Sequence, residues 1–195
     1  MTIEEFTLEK VLSGHSLARF GDGEIKLTYG WNSYTQLYRE DVAQELQGIL
    51  YESACLVGLP HEHGKRPRYW AAFLSLFPPK TSRRQYLSSF ISRPDEAEDC
   101  PLHVVWSDRD VTLVAGGGSL SPHLMPEAKS VNLIECPQRD AYAVIDELEE
   151  QIPTDADLVV LCCGATATCL ANRLDHKGVQ AVDFGFIGKF MNERM

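Results

Sequence analysis

No stretch of the sequence approaches the roughly 20 consecutive apolar residues that a membrane span requires. The opening residues also argue against a secretory leader of ordinary form. The chain opens Met1-Thr2-Ile3-Glu4-Glu5, acidic and amphipathic where a leader is basic and then apolar. Cys-x-x-Cys spacing is absent, and the six cysteines are scattered apart from Cys162 and Cys163, which are adjacent inside an apolar run. That pattern supports neither a zinc cluster nor a disulfide framework, and points to reduced, buried thiols in a cytoplasmic protein. Positive charge is scarce, with 18 basic against 28 acidic residues and a formal net charge of −10. Nucleic-acid partners, which are held by neutralising phosphates, are disfavoured, and so are anionic membranes. A small anionic substrate stays open if a local basic cluster or a metal supplies the charge. Internal repeats and low-complexity tracts are likewise missing.

The remainder is that of an ordinary globular chain, 44% hydrophobic and 24% charged over 195 residues. That length suits one domain, residues 1–195, able to bury about 70% of its unfolded surface without disulfides or a structural metal. Thr2-x-x-Glu5 has capping-box spacing ahead of Phe6, Leu8, Val11 and Leu12, and Gly14 stops the helix they imply. Leu17 to Phe20, Ala54 to Leu59, Val111 to Ala115, Val131 to Cys136, Leu158 to Cys163 and Val179 to Phe184 read as strands. Helical spacing marks Val42 to Leu50, Asp140 to Ile152, and the segment from Gly164 to His176. Tyr69 to Phe77 reads as a short helix and Tyr86 to Ser92 as a weaker strand, while 95–106 fits helix or strand. Strands alternating with helices predict an α/β domain with a mostly parallel sheet and helices on both faces.

The most informative stretch is Gly21-Asp22-Gly23-Glu24, which puts two carboxylates two residues apart in a turn directly after a strand. Ligands of open parallel sheets sit outside the carboxyl ends of strands, so the position suits a site. Glycines flanking Asp22 let the backbone turn sharply and approach a ligand. Paired carboxylates suit Mg²⁺ or Mn²⁺, which complete their shell with phosphate oxygens and water. Asp-Gly-Glu also makes an ordinary surface turn. Gly164-Ala165-Thr166 lies where a strand passes into a helix, so its N–H groups and hydroxyl can receive a phosphate or simply cap the helix. Gly116 to Ser119 offers a second nest of donors or a plain loop.

Arg19-Phe20-Gly21-Asp22-Gly23-Glu24 resembles the Asp-x-Glu motif of the GT-D-fold glycosyltransferases, bacterial enzymes with a Rossmann-like domain that use nucleotide sugars. The resemblance continues in order through Phe90-Ile91-Ser92-Arg93-Pro94, Trp106 with Asp108 to Val111, Ala128-Lys129-Ser130, and Cys136-Pro137. It is strongest from Leu158-Val159-Val160-Leu161 and Gly164-Ala165-Thr166-Ala167 to Lys177-Gly178-Val179-Gln180-Ala181-Val182-Asp183. The resemblance implies metal-dependent transfer of a sugar from a nucleoside-diphosphate sugar, a UDP-sugar first of all, to a glycan or glycoconjugate acceptor. Asp22 and Glu24 would be the catalytic residues and would hold Mn²⁺ or Mg²⁺. Arg19, Phe20, Gly21, Arg93, Ser119, Gly164 and Thr166 would bind substrate, with Phe20 lining the nucleotide pocket or filling core.

The chain departs from the family pattern at two places. Where members carry Ser-Arg after the glycines it reads Ser119-Leu120-Ser121-Pro122-His123, and Phe186-Ile187-Gly188 replaces a common His-Ile-Asp. Donor binding is better preserved than chemistry, so a nucleotide-sugar binder with impaired catalysis is the alternative. A methyltransferase-like reading calls for an acidic residue after the second strand, which Leu59-Pro60-His61 does not offer. His61-Glu62-His63 lacks a visible third ligand. The seven basic residues between Lys65 and Arg93 can meet acceptor phosphates or form a solvated face. The oligomeric state is left open.

Overall fold

The computed structural model describes residues 3–60, 86–89, 102–117 and 120–185. Within them seven strands form one sheet: β1 (Leu17–Arg19), β2 (Leu56–Leu59), β3 (Leu87–Ser88), β4 (Asp110–Gly116), β5 (Ser130–Cys136), β6 (Leu158–Cys162) and β7 (Ala181–Asp183). Their order is β3-β2-β1-β7-β6-β4-β5, and every pair is parallel. Five α-helices accompany them: α1 (Ile3–Leu12), α2 (Asp22–Thr28), α3 (Glu40–Glu52), α4 (Ile145–Gln151) and α5 (Ala165–His176).

The apolar run of β6 shows how the sequence builds two cores. Successive strand residues point to opposite faces, so Leu158, Val160 and Cys162 enter one cluster while Val159 and Leu161 enter the other. The first cluster holds Leu8 and Val11 of α1 with Trp106, Met125 and Phe184. The second holds Leu46 and Leu50 of α3, Leu148 of α4 and Leu170 of α5. A sheet covered on both faces leaves its carboxyl edge as the place where polar groups gather.

Two expectations shift. Asp140 to Ile152 is not one helix: Asp140 is left-handed (φ 54°), a 3₁₀ turn runs Ala141–Val144, and α4 follows. The Asp-x-Glu segment is not a free turn but the first turn of α2, with Gly21 as its N-cap. The expected helix at 69–77, the histidines at 61 and 63, the basic run from Lys65 to Arg93, and Phe186-Gly188 lie outside the described residues. In the 95–106 segment, Leu102–Val105 is a 3₁₀ turn.

Gly58 is required by a close approach. A Cβ there would stand 2.8 Å from the Ser88 carbonyl oxygen, where β2 pairs with β3. Gly58→Ala should therefore cost about 1–3 kcal/mol, the range for forcing atoms into a packed interior, read as a lowered urea midpoint with unchanged slope. An unchanged midpoint would mean that β3 is free to move aside.

Candidate active site

Because all strands are parallel, their carboxyl ends lie along one edge. At the ends of neighbouring β1 and β7, Arg19 and Asp183 meet almost fully buried, with Nη1 3.8 Å from Oδ1. The Arg19 Nε–H donates to the Ser89 carbonyl at 2.7 Å, and the Arg19 N–H lies 3.3 Å from Asp183 Oδ2. Thr168 of α5 donates its hydroxyl to the Arg19 carbonyl at 2.8 Å and stands 3.2 Å from Asp183 Oδ2. Gly185 N–H donates to Asp183 Oδ1 at 2.9 Å. Desolvation nevertheless outweighs these favourable contacts and pushes the Asp183 carboxyl up to about 6.

Glu24 occupies the third position of α2, and its carboxylate turns back to accept the Gly21 N–H at 2.7 Å. This is the side-chain half of a capping box, one turn inside the helix. Burial first, and the nearby Asp183 charge second, raise its carboxyl to about 7 against the pull of Arg19. Asp22, at the first position of α2, is more exposed and stands 3.7 Å from Lys26 one turn on. The edge thus holds two desolvated carboxylates sharing one guanidinium, with a third carboxylate at the rim.

A pocket of about 270 Å³ opens farther along the same edge. It is framed by Gly116 and Gly117 after β4, Gln138 and Arg139 after β5, and Gly164 after β6, with Tyr34 and Thr35 crossing from the loop between α2 and α3. The chain leaves β4 outward to β5 and leaves β6 in the opposite direction to β7. The pocket therefore sits where the winding reverses, the place where open α/β sheets bind ligands. Arg139 is the only charged lining residue, exposed and without a polar partner among the described residues. Gly164 has φ +65°, and a Cβ there would approach Thr35 Oγ1 to 2.5 Å, so glycine is needed on both counts. Behind it in the first turn of α5, the Thr166 hydroxyl is buried with no hydrogen-bond partner. Leu161 of β6 pairs with Asp183 of β7, and Cys162 and Gly164 of the lining follow it, so the pocket and the carboxylate cluster lie at the ends of neighbouring strands.

Residues 17–191 match the glycosyltransferase GT-D fold family. The chain belongs to the GT-D-fold glycosyltransferases. Glycosyltransferase GlyD of Streptococcus pneumoniae serotype 4 is 30% identical over 210 aligned positions, covering 93% of this chain and 26% of the relative. The probable glycosyl transferase Gly of Streptococcus gordonii is 29% identical, covering 94% of this chain and 30% of the relative. The chain thus spans less than a third of the length of these curated relatives. Among solved structures, a new glycosyltransferase from Streptococcus sanguinis superposes with a TM-score of 0.81 at 28% identity, covering 96% of this chain and 81% of that one. The highly conserved domain of unknown function 1792, described as having a distinct glycosyltransferase fold, gives 0.79 at 27% identity over 98% and 84%.

Within this GT-D fold, the sequence-derived site residues separate into groups. Arg19, Gly21 and Glu24 come together at the β1 end, with Asp22 at the rim. Gly164 lines the pocket and Thr166 lies buried beside it. Phe20 is 1% exposed and packs among Ile25, Leu46 and Leu50, so of its two readings it takes the core. Arg93 and Ser119 lie outside the described residues. Sequence reasoning gave no role to Asp183, Thr168, Arg139, Thr35 or Gln138. Asp183 had a signal, since an acidic residue closing a buried apolar strand stands at the ligand edge of a parallel sheet. The others depend on where distant loops cross.

The described residues contain no convergent group of three or more His, Cys, Asp or Glu side chains. A hard divalent cation needs less than that, because it takes one or two carboxylates and keeps water and phosphate oxygens. The surplus negative charge of Glu24 and Asp183 over a single Arg19 fits such an ion. No helix of the described residues is long and apolar enough to cross a membrane, and the five described cysteines are buried and unbridged.

Proposed function

We propose that this chain transfers a sugar from a nucleoside-diphosphate sugar, a UDP-sugar, to a glycan or glycoconjugate acceptor, with Mn²⁺ or Mg²⁺ as cofactor. The observation that carries this reading is the juxtaposition of the carboxylate cluster at the β1–β7 end with a glycine-framed pocket at the winding reversal. Asp22 and Glu24 would hold the cation, whose chemistry is to neutralise charge on the departing diphosphate. Gly164, the N-cap of α5, lines the pocket, so a phosphate bound there would meet the amino end of that helix. Arg139 adds the positive charge that the lining otherwise lacks. Arg19 is taken up by Ser89 and Asp183, so it acts by fixing the carboxylates rather than by touching the donor.

A second reading, a nucleotide-sugar binder with impaired turnover, has one observation in its favour. The described lining residues of the pocket include no His, Asp or Glu to take a proton from an acceptor hydroxyl.

A thermal-shift screen of nucleotides and UDP-sugars, with and without Mn²⁺, tests the donor class. A ligand at 100 times its dissociation constant stabilises the native state by about 2.7 kcal/mol. For a chain of this size that should raise Tm by roughly 5–10 °C. In Arg139→Ala the same ligand should bind about tenfold more weakly, the loss of one charge-assisted hydrogen bond. No shift with any nucleotide sugar, with or without metal, would move the site to another cofactor class.

A further inference from the structure

In the loop joining α2 to α3, polar side chains tie down the backbone while the large rings stay exposed. Gln36 is 2% exposed, receiving the Tyr142 N–H at 3.3 Å on Oε1, while Asp140 accepts the Leu37 N–H at 2.6 Å and donates its own N–H to the Thr35 carbonyl at 2.8 Å. The Ser33 hydroxyl accepts the Gln36 N–H at 3.0 Å, and Asn32 accepts the Tyr38 N–H at 2.7 Å. The large side chains face out: Trp31 is 64% exposed, Tyr34 82% and Tyr38 41%. The backbone is thus held in a shape that presents three rings to water; Tyr34 lines the pocket, and Trp31 packs on Tyr29 with ring centroids 5.9 Å apart.

Exposed apolar patches of this kind mark binding surfaces, and rings with two side-chain torsions bind at small entropic cost. We propose that Trp31, Tyr34 and Tyr38 form the acceptor subsite, an aromatic platform on which the pyranose rings of a neutral glycan stack at the mouth of the pocket. The proposal rests on the donor reading of that pocket. Three features select the occupant. The C–H bonds on a pyranose face are weakly positive and match the negative face of an aromatic ring. The chain's net charge of −10 disfavours nucleic acid and acidic partners. A protein seated permanently on these rings would close the pocket that Tyr34 borders.

The test titrates maltohexaose, cellohexaose and chitohexaose into the full chain, following tryptophan emission and heat, with UDP and Mn²⁺ titrated separately. Of the three tryptophans, Trp31 is 64% exposed, Trp106 is fully buried and Trp70 lies outside the described residues, so the Trp31→Phe variant assigns the change. At least one hexasaccharide should bind saturably and shift the emission to the blue. Its dissociation constant should rise at least tenfold in Trp31→Ala/Tyr38→Ala, with circular dichroism confirming the fold. Trp31→Phe, which keeps a ring, should still bind by calorimetry while losing most of the emission change. UDP binding without any hexasaccharide binding would overturn the proposal. Hexasaccharide binding without UDP binding would support the glycan surface and overturn the donor reading. Self-association of the wild type that the double variant abolishes would reassign the rings to a second copy of the chain and also overturn it.

Discussion

Glu24→Gln should make the protein more stable and far less active. The Glu24 carboxyl is raised from its ordinary 4.5 to about 7, chiefly by burial. The folded chain therefore holds this proton more tightly than the unfolded chain does. The stability linked to it is complete below pH 4.5 and is lost as pH rises through 7. Glutamine has no charge to desolvate and can keep the hydrogen bond from Gly21, so the variant escapes that loss. At 1.36 kcal/mol per pKa unit, its advantage at pH 8 should be on the order of 3 kcal/mol. That corresponds to roughly 6–12 °C in Tm, shrinking toward zero between pH 7 and pH 4.5. Sugar transfer should fall more than about 100-fold, beyond the 10–100-fold typical of a group that only supports a metal ligand. A gain in stability coupled to a loss of activity is the mark of a charge kept for function. Full activity in the variant would remove Glu24 from the metal site, and equal Tm profiles would refute the desolvation argument.

Arg19→Met should be the most damaging single change to the fold. The Arg19 and Asp183 side chains are 10% and 4% exposed, and removing one partner leaves the other charge buried without compensation. Breaking such a pair typically costs about 3–5 kcal/mol. In a chain of this length Tm should drop by roughly 6–20 °C at pH 8. The damage should be smaller at pH 5, because Asp183, already raised to about 6, can then take up a proton. Adding Asp183→Asn to Arg19→Met should recover part of the loss, since the double change removes the stranded charge. Equal damage at both pH values would place the cost in lost packing of the arginine stem.

The sheet was legible because buried parallel strands have a strong signature. Leu158 to Cys163 is apolar throughout, and the observed β6 ends one residue short of it. The helical spacing of Val42, Leu46, Ile49 and Leu50 was equally plain, as all four are buried in α3. The nature of the Asp-x-Glu turn was less plain. Gly21 is a weak N-cap signal, and the three-residue spacing to Glu24 gains meaning only once the carboxylate is seen accepting the Gly21 N–H. Asp140 hid a break because it adopts a left-handed backbone that aspartate tolerates and the apolar spacing around it does not report. Arg139, Thr35 and the rings of Trp31, Tyr34 and Tyr38 were invisible for another reason. Their importance comes from loops 100 residues apart meeting over Gly164, as in the Leu37–Asp140 contact, and no local pattern encodes that meeting.

The central claim is that Asp22 and Glu24 bind a divalent cation that recruits a nucleoside diphosphate. Calorimetric titration of UDP into wild type and Asp22→Ala, each with and without Mn²⁺, addresses it without knowledge of sugar or acceptor. Asp22 lies at the rim with a side chain 38% exposed, so alanine there should leave the fold intact. Mn²⁺ should tighten UDP binding at least about tenfold in wild type, a gain of 1.4 kcal/mol or more. In Asp22→Ala the metal should make no difference. The same Mn²⁺ dependence in both proteins, with the variant folded, would contradict the assignment.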